Sequence, residues 1–276
     1  MATDSAADRE LELAERLPQA DASALVDRGL LEEQVREMYR QVARDEDARL
    51  HFAVGRPVAL QVGYPAELLD AIPAEALASF AGVGYHLDLA DLRPGDHVLD
   101  LGSGSGTDVF CAAVRIGRAG RVVGLDFTDE QLAKAARLRD RDGFSQVDLV
   151  EGVIDELPFP DASFDAVISN GVINLSPVKQ RVFGEAARVL KPGGRLAVAD
   201  IVSSRALRER TRRNIELWAA CIAGAIPRDS YLATIEAAGF EVRAVRTNAY
   251  EFLSERALDA CSTYGVESIS LSAVLA

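Results

Sequence analysis

Short apolar runs alternate with amphipathic segments through the last two thirds of the chain. Runs of this length between turn-forming residues are typical of strands buried on both faces of a parallel sheet. The predicted strands are residues 98–101, 121–126, 147–150, 166–169 and 195–200. Helical spacing of apolar residues predicts helices at 108–116, 129–141, 178–190 and 228–238. This rhythm predicts an α/β fold with helices on both faces of a mostly parallel sheet.

The regular alternation of strands and helices changes in the last quarter of the chain. Residues 203–227 interrupt it with a charged helix at 205–213 and then an apolar stretch, so we expect a helical insertion there. Two final strands, at residues 240–247 and 266–274, enclose a helix at residues 254–264. The fold therefore ends on a pair of strands and not on another helical crossover.

The first 92 residues have a different character. Apolar residues at helical spacing predict helices at residues 11–17 and 30–42. Prolines punctuate residues 55–84, which favours short helices with bends between them. We therefore divide the chain into an N-terminal helical cap and connector, residues 1–92, and a core, residues 93–276.

The most informative stretch lies where the first core strand ends. The strand carries Asp100, and glycines follow at alternate positions, Gly102, Gly104 and Gly106, before a helix begins. Glycine is needed where the backbone adopts positive φ or lies directly against a ligand. Amides at the start of the helix would face the same crevice and favour a carboxylate or phosphate. The alternating spacing differs from the dinucleotide fingerprint, whose third glycine comes one residue later.

Polar and aromatic residues follow the next three strands. Asp126 comes about twenty residues after the glycines, where a βαβ nucleotide-binding unit holds the ribose hydroxyls. Phe127 could stack on an adenine ring, Ile154 could pack on it, and Asp155 could accept from its amino group. Asn170, after the fourth strand, offers a donor to a carboxylate and an acceptor to an ammonium group. Helix capping or a turn is the alternative role for Asp126.

Composition narrows the classes of partner. The 276 residues carry a formal net charge of −13, which argues against nucleic acid because phosphate neutralisation needs a concentrated basic surface. No apolar run is long enough to span a bilayer, and the N-terminus lacks the apolar region of a secretory signal. The three cysteines and three histidines have no metal-ligand spacing. We expect a cytoplasmic protein without metal, nucleic acid or membrane partners.

Four features together resemble the class I S-adenosylmethionine-dependent methyltransferases of the ubiquinone-biosynthesis type. They are Asp-x-Gly-x-Gly-x-Gly from Asp100, the acid Asp126, Leu-Pro-Phe-Pro-Asp-x-Ser-Phe-Asp at 157–165, and Arg-Val-Leu-Lys-Pro-Gly-Gly at 188–194. The resemblance covers residues 34–276. It implies a Rossmann-like sheet with an antiparallel last strand, and S-adenosylmethionine as the methyl donor.

More particular segments resemble the arsenite methyltransferases. They are residues 168–175, 200–202 and 217–225. Met38-Tyr39 also stands where that family has a tyrosine pair near the methionine end of the cofactor. This resemblance implies that Tyr39 lies beside the cofactor.

The cysteine pattern departs from that family, in which thiolates hold trivalent arsenic beside the methyl group. Cys221 occupies one thiolate position, but Gly171 occupies another and residues 1–96 contain no cysteine. A soft ion such as As(III) needs two or three thiolates to be held against water. We therefore do not expect arsenite methylation by the multi-cysteine route, and Cys221 could equally be a small packing residue.

The leading hypothesis is an enzyme that transfers the methyl group of S-adenosylmethionine to a small-molecule acceptor. The residues expected around the cofactor are Tyr39, Asp100, Gly102, Ser103, Gly104, Gly106, Asp126, Phe127, Ile154, Asp155 and Asn170. The candidates on the acceptor side are His86, Asn174, Trp218 and Cys221. Two alternatives stay open: a thiol, selenol or metalloid methyltransferase that uses Cys221, and a non-catalytic cofactor-binding protein. The sequence identifies no catalytic residue and no acceptor atom, and it leaves open a homo-oligomer.

Overall fold

The computed structural model describes residues 21–44 and 53–276, within which seven strands form one sheet. The strands are β1 (His97–Leu101), β2 (Arg121–Asp126), β3 (Val147–Glu151), β4 (Phe164–Asn170), β5 (Leu190–Val202), β6 (Phe240–Thr247) and β7 (Glu267–Leu275). Their spatial order is β3-β2-β1-β4-β5-β7-β6, and β7 runs antiparallel to both of its neighbours. The other pairings are parallel. The mostly parallel sheet with an antiparallel last strand is thus confirmed.

Helices cover both faces of this sheet and the edge where the parallel strands end. They are α1 (Arg28–Arg44), α2 (Arg56–Gln61), α3 (Ala66–Asp70), α4 (Ala74–Ala78), α5 (Thr107–Ile116), α6 (Asp129–Asp142), α7 (Lys179–Val189), α8 (Glu209–Arg212), α9 (Ile215–Ala219), α10 (Arg228–Ala237) and α11 (Glu255–Tyr264). In the described ranges, no helix is both long and apolar enough to cross a bilayer. The helix predicted at residues 11–17 lies outside those ranges.

The prolines of the connector act as the sequence predicts. Pro57 lies in the first turn of α2, and Pro65 and Pro73 are the residues before α3 and α4. A proline suits the start of a helix because its fixed φ is compatible with the first turn and its missing amide has no partner there. Three short helices therefore lead into the core.

The predicted extents of two elements were wrong. The strand predicted at residues 195–200 begins at Leu190, because Phe164 pairs with Leu190 before the register jumps to Ala166 beside Arg195. The turn residues 191–194 form an irregularity inside β5 and do not precede it. The charged helix predicted at residues 205–213 shrinks to α8. The amides of residues 204 and 205 donate to the Tyr264 carbonyl at 3.0 and 3.3 Å, which holds the chain out of a helix.

Neighbouring residues of the central strands face opposite layers of the core. Val98 packs in the cluster formed by α2 to α6, whereas Leu99 packs in the cluster formed with α7 and α10. A third cluster joins α1, α9, α11 and the end of β5, and it contains Leu31 and Trp218. The alternation follows from the two-residue period of a strand.

The architecture gathers the ends of four parallel strands beneath the N-terminal segment. Loops after β1, β2, β3 and β4 adjoin at one edge, as in other doubly wound sheets. The described N-terminal segment, residues 21–44, is called the cap below. The amide of Ala22 donates to the carbonyl of Pro177 at 2.7 Å, and α1 packs on α9 and α6. The cap therefore covers the edge where ligands bind in this class of sheet.

Gly224→Ala is expected to lower the free energy of unfolding by about 2 kcal/mol. A Cβ at this position would lie 1.9 Å from the carbonyl oxygen of Asn174 and 2.7 Å from the Trp218 ring, so the backbone would have to move. The measurement is urea unfolding followed by far-ultraviolet circular dichroism. Gly184→Ala, within α7 and with open space around the added Cβ, should instead add about 1 kcal/mol. Equal stability of Gly224→Ala and the wild type would contradict the close approach.

Candidate functional site

A cavity of about 1170 Å³ lies between the cap and the carboxyl ends of the strands. Its floor is the glycine turn after β1, its sides are the loops after β2, β3 and β4, and its roof is α1. The predicted cofactor residues that line it are Tyr39, Asp100, Gly102, Ser103, Gly104, Asp126, Phe127, Ile154, Asp155 and Asn170. Topology thus brings together residues separated by up to 131 positions in the sequence.

Two glycines of the turn, Gly102 and Gly104, are required for different structural reasons. Gly102 has φ +75°, and a Cβ there would lie 2.4 Å from the Val172 side chain. Gly104 has φ +52°, but the nearest atom to its added Cβ would be Oε1 of Gln131 at 4.0 Å. Gly102 therefore allows the turn to pack against the β4 loop, whereas Gly104 leaves bare backbone facing open space. Gly106, which does not line the cavity, precedes α5 and packs on Phe110.

Asp126 is buried and is bonded to the turn beside it. Its Oδ2 accepts from the Gly104 amide and its Oδ1 from the Thr128 amide, both at 2.9 Å. Burial raises the pKa of Asp126, and these amides partly oppose the rise. The carboxylate thus fixes the distance between the first two strand ends while facing the cavity.

Asp100 is more deeply buried than Asp126, and the protein stabilises its charge less. It is 2% exposed, and no described residue donates a hydrogen bond to its carboxylate. Burial, with the nearby carboxylates of Asp108 and Asp126, raises the pKa of Asp100 well above its usual value. The described residues therefore stabilise the ionised form of Asp100 poorly, and a cationic ligand in the cavity would favour that form.

Asp108 is a cavity residue that the sequence analysis missed. The Tyr64 hydroxyl donates to its Oδ1, and Nδ2 of Asn170 donates to its Oδ2 at 3.1 Å. Burial and the charge of Asp108 raise the pKa of Tyr64 well above its usual value, so Tyr64 stays a donor. The available signal was position, since Asp108 is the second residue of the helix that follows the glycine turn.

The Asn170 amide is occupied within the protein. Its Oδ1 accepts from the Val83 amide at 2.8 Å, and its Nδ2 donates to the Tyr64 hydroxyl and the Gly84 carbonyl, both at 3.0 Å. The side chain lines the cavity but holds the loop at residues 81–84 in place. The role predicted for it, direct bonding to a ligand's amino-acid group, would compete with these bonds.

Several contacts of α1 join the cap to the core around the cavity. The Arg28 guanidinium lies 2.9 Å from each carboxylate oxygen of Asp155. Others are the guanidinium of Arg36 5.1 Å from the Phe127 ring, the Gln131 amide donating to the Tyr39 carbonyl at 3.0 Å, and Arg40 paired with Glu130 at 3.1 Å. Asp155, predicted to meet an adenine amino group, is thus paired with the cap.

Comparison with known proteins identifies the family. The model of a methyltransferase domain family matches residues 92–249. The chain is also 31% identical to an arsenic(III) S-adenosylmethionine methyltransferase from Chlamydomonas reinhardtii of known structure, with a TM-score of 0.61 over 81% of this chain and 74% of that one. This chain belongs to the class I S-adenosylmethionine-dependent methyltransferases.

Sequence relatives of this methyltransferase include arsenite methyltransferases from two domains of life. The protein from Halobacterium salinarum is 37% identical over 197 residues, which cover 71% of this chain and 50% of that protein. The protein from Homo sapiens is 35% identical over 208 residues, which cover 71% and 54%. The chain therefore spans about half the length of these curated relatives.

The cavity of this methyltransferase suits the cofactor of its family. Gly104 offers backbone that a ligand can approach, and no described residue donates a hydrogen bond to the Asp100 carboxylate. An ammonium group would supply what Asp100 lacks, and Asp126 offers carboxylate oxygens to ribose hydroxyls. In the described ranges, no three His, Cys, Asp or Glu side chains are grouped as a metal site.

None of the four acceptor-side candidates lines the cavity of the methyltransferase. His86 is fully buried and is not among the residues that line the cavity. The expectation that it could reach the site is therefore corrected. Asn174 is a buried residue of the β4 loop, and Trp218 and Cys221 pack in the cluster under the cap.

The backbone at the family's thiolate positions is unusual. Gly171 has φ +74°, and a Cβ there would lie 3.3 Å from Val83, so a cysteine at this position would be strained. Cys221 also has positive φ, +61°, which is rare for a residue other than glycine. Burial and the charge of Asp200 raise the pKa of the Cys221 thiol to about 12. At neutral pH this cysteine is therefore a thiol and not a thiolate.

Asn170→Asp is expected to lower the free energy of unfolding by about 2 kcal/mol at pH 8. The change removes the donor to Asp108 and places a second carboxylate beside it. Repulsion raises the pKa of such a pair, so the missing stability should return as the pH falls to 5 and the pair takes up a proton. Urea unfolding at the two pH values measures this.

The matched control is Asn214→Asp. Asn214 is the N-cap of α9 and accepts from the Leu217 amide, a role that aspartate fills equally well. We expect this variant to unfold like the wild type at both pH values. A loss for Asn170→Asp that does not depend on pH would argue against the buried carboxylate pair.

Proposed function

We propose that this chain binds S-adenosylmethionine in the cavity and transfers its methyl group to a small-molecule acceptor. The observation that carries the proposal is the buried Asp100 carboxylate, which faces the glycine turn without a protein donor. A ligand that brings positive charge and hydrogen-bond donors to this floor relieves an unfavourable burial.

Charge favours the methyl donor over an anionic ligand. The described lining residues include five acids and one basic residue, Arg28, which is already paired with Asp155. S-adenosylmethionine carries a sulfonium and an ammonium against one carboxylate, so its net charge is positive. Attraction between unlike charges is strongest in a partly buried cavity of this kind.

Each strand end has a distinct role in this proposal. Asp126 would hold the ribose hydroxyls, with Phe127 and Ile154 around the adenine, and Asp100 would hold the ammonium group. When bound, S-adenosylmethionine supplies a sulfonium methyl group for in-line displacement. The protein would orient the two reactants and exclude water, which together account for most of the acceleration in such a reaction.

The cap supplies the exclusion of water. Leu31, Val35 and Tyr39 on α1 face the cavity from above, and the Arg28–Asp155 pair closes the end next to β3. On the β4 side the wall is mainly apolar, with Val172, Leu175 and Pro177. This apolar wall would help to exclude water from the bound cofactor.

S-adenosylhomocysteine, the expected product, should bind the wild-type chain in a calorimetric titration. Asp126→Ala should weaken this binding at least about tenfold, since it removes the ribose acceptor and the bonds to Gly104 and Thr128. Asp140→Ala, an exposed aspartate on α6 paired with Arg139, is the control and should bind as the wild type does. Absence of binding to the wild type would contradict the proposed function.

A second candidate is a methyltransferase for a thiol, selenol or metalloid that contacts Cys221. The observation that favours it is the positive φ of Cys221, because a cysteine there costs about 1 kcal/mol that glycine would avoid. The raised pKa of the thiol counts against a preformed set of thiolates, as does the positive φ at Gly171, which a cysteine would adopt only under strain. The small organic acceptor therefore remains the leading candidate.

Transfer of a labelled methyl group distinguishes these candidates. The chain is incubated with methyl-labelled S-adenosylmethionine and either a metabolite extract or arsenite with glutathione. We expect label in an organic product, little label on arsenite, and equal turnover for the wild type, Cys221→Ser and Cys261→Ser. Selective loss of turnover in Cys221→Ser would favour the soft acceptor. Absence of any labelled product, with binding of the cofactor intact, would favour a non-catalytic binding protein.

A further inference from the structure

Lys179, the first residue of α7, is a buried cation outside the cavity. Lys179 is 2% exposed, and its Nζ donates to the carbonyls of Asn174 and Ser176 at 2.9 and 2.8 Å. The same ammonium lies 5.3 Å from the centre of the Trp218 ring. Burying an ammonium costs several kcal/mol unless partners compensate it, so its position calls for a reason.

An anion on β5 compensates part of this cost. Asp200 is fully buried, accepts from Nδ2 of Asn174 at 2.8 Å and from the Tyr231 hydroxyl at 2.7 Å, and attracts the Lys179 ammonium. Burial nevertheless lowers the pKa of Lys179 to about 7, and the charge of Arg212 contributes to the fall. At neutral pH the charged and neutral forms of Lys179 are therefore populated to a similar extent.

The carbonyls that Lys179 binds belong to a wall of the cavity. They lie in the turn after β4, whose short 3₁₀ segment is Ile173–Leu175. Leu175 and Ser176 line the cavity, and Val172 at the start of the turn packs against Gly102. The ammonium therefore fixes the backbone directly behind the cavity surface.

The other partner of the ammonium connects this wall to the roof. Trp218 lies on α9, which packs against α1 of the cap, and its indole nitrogen donates to the Arg212 carbonyl at 2.6 Å. Gly224 lets the same segment approach the Asn174 carbonyl. One cation thus contacts both the turn that forms the wall and the helix that supports the cap.

We propose that Lys179 is a positioning residue: its ammonium joins the turn after β4 to Trp218 and so holds the cavity wall at Leu175 and Ser176 in the shape that binds the cofactor. This inference rests on the proposed function, because it takes that wall as part of the S-adenosylmethionine site. Lys179 itself touches no reactant.

The test is Lys179→Met, which keeps the length of the side chain and removes its charge. Removing one partner of a buried pair of charges leaves Asp200 less compensated, so Lys179→Met should also lower the melting temperature. A purely structural lysine would lower only stability and leave the ligand affinity of the folded protein unchanged. We expect the calorimetric affinity for S-adenosylhomocysteine, measured below the unfolding transition, to fall about tenfold. Wild-type affinity in a folded Lys179→Met protein would overturn the proposal.

Lys191→Met is the matched control. Lys191 is partly exposed at the start of β5, at the opposite edge of the sheet, where it pairs with Asp165 at 2.8 Å. Its loss should leave the affinity for S-adenosylhomocysteine unchanged. An equal loss of affinity in both variants would also overturn the specific role of Lys179.

Trp218 supplies a second measurement, which uses only the wild-type chain. It is the only tryptophan in the sequence. The charged groups that act on Lys179 are Asp200 on β5 and Arg212 beside Trp218. Tyr231 on α10 and Cys221 lie beside the Asp200 carboxylate. Emission should titrate with a midpoint near 7, and S-adenosylhomocysteine should raise this midpoint if the charged lysine holds the binding shape.

If Lys179→Met does not fold, the shift of this midpoint decides the question. An upward shift supports the positioning role, and an unchanged midpoint in the presence of bound S-adenosylhomocysteine overturns it. A wild-type chain that binds no S-adenosylhomocysteine would overturn the proposed function instead, so the two failures can be distinguished.

Discussion

Buried negative charge at the ends of β1 and β2 is the constraint around which this structure is built. Asp100, Asp108 and Asp126 surround one glycine turn, where little water is available to solvate them. Backbone amides satisfy Asp126, and Tyr64 and Asn170 satisfy Asp108. Asp100 receives no such donor. We therefore propose that a cationic ligand completes this floor. Positive charge is the chemical property that distinguishes a sulfonium methyl donor from most nucleotides.

The same principle organises the periphery of the cavity. Arg28 in the cap neutralises Asp155 at the β3 end, and Lys179 balances Asp200 behind the β4 wall. Both interactions join separate segments of the chain, and we propose that both help to set the shape of the cavity. The apolar cluster under the cap fills the space between them. Charge therefore fixes the boundaries of the site, and hydrophobic packing fixes its volume.

Much of the fold and the floor of the site follows from local sequence. The strand–glycine–helix pattern after Asp100 and the acid ending β2 depend on residues near one another, and both lie where the pattern predicts. Positions that depend on distant packing could not be read in this way. His86 is close in sequence to residues 81 and 82, which line the cavity, yet its own side chain is fully buried away from the cavity. Arg28 and Asp155 are 127 positions apart in the sequence, so no local sequence pattern predicts that they pair.

The ends of β1 and β2 are where we expect the adenosine of the cofactor to lie. A crystal structure of the chain with S-adenosylhomocysteine tests that claim without knowledge of the acceptor. We predict that the ribose hydroxyls meet the Asp126 carboxylate, that the amino group meets Asp100 above the glycine turn, and that α1 closes over both. An adenosine bound elsewhere, or an amino group distant from Asp100, would contradict the account.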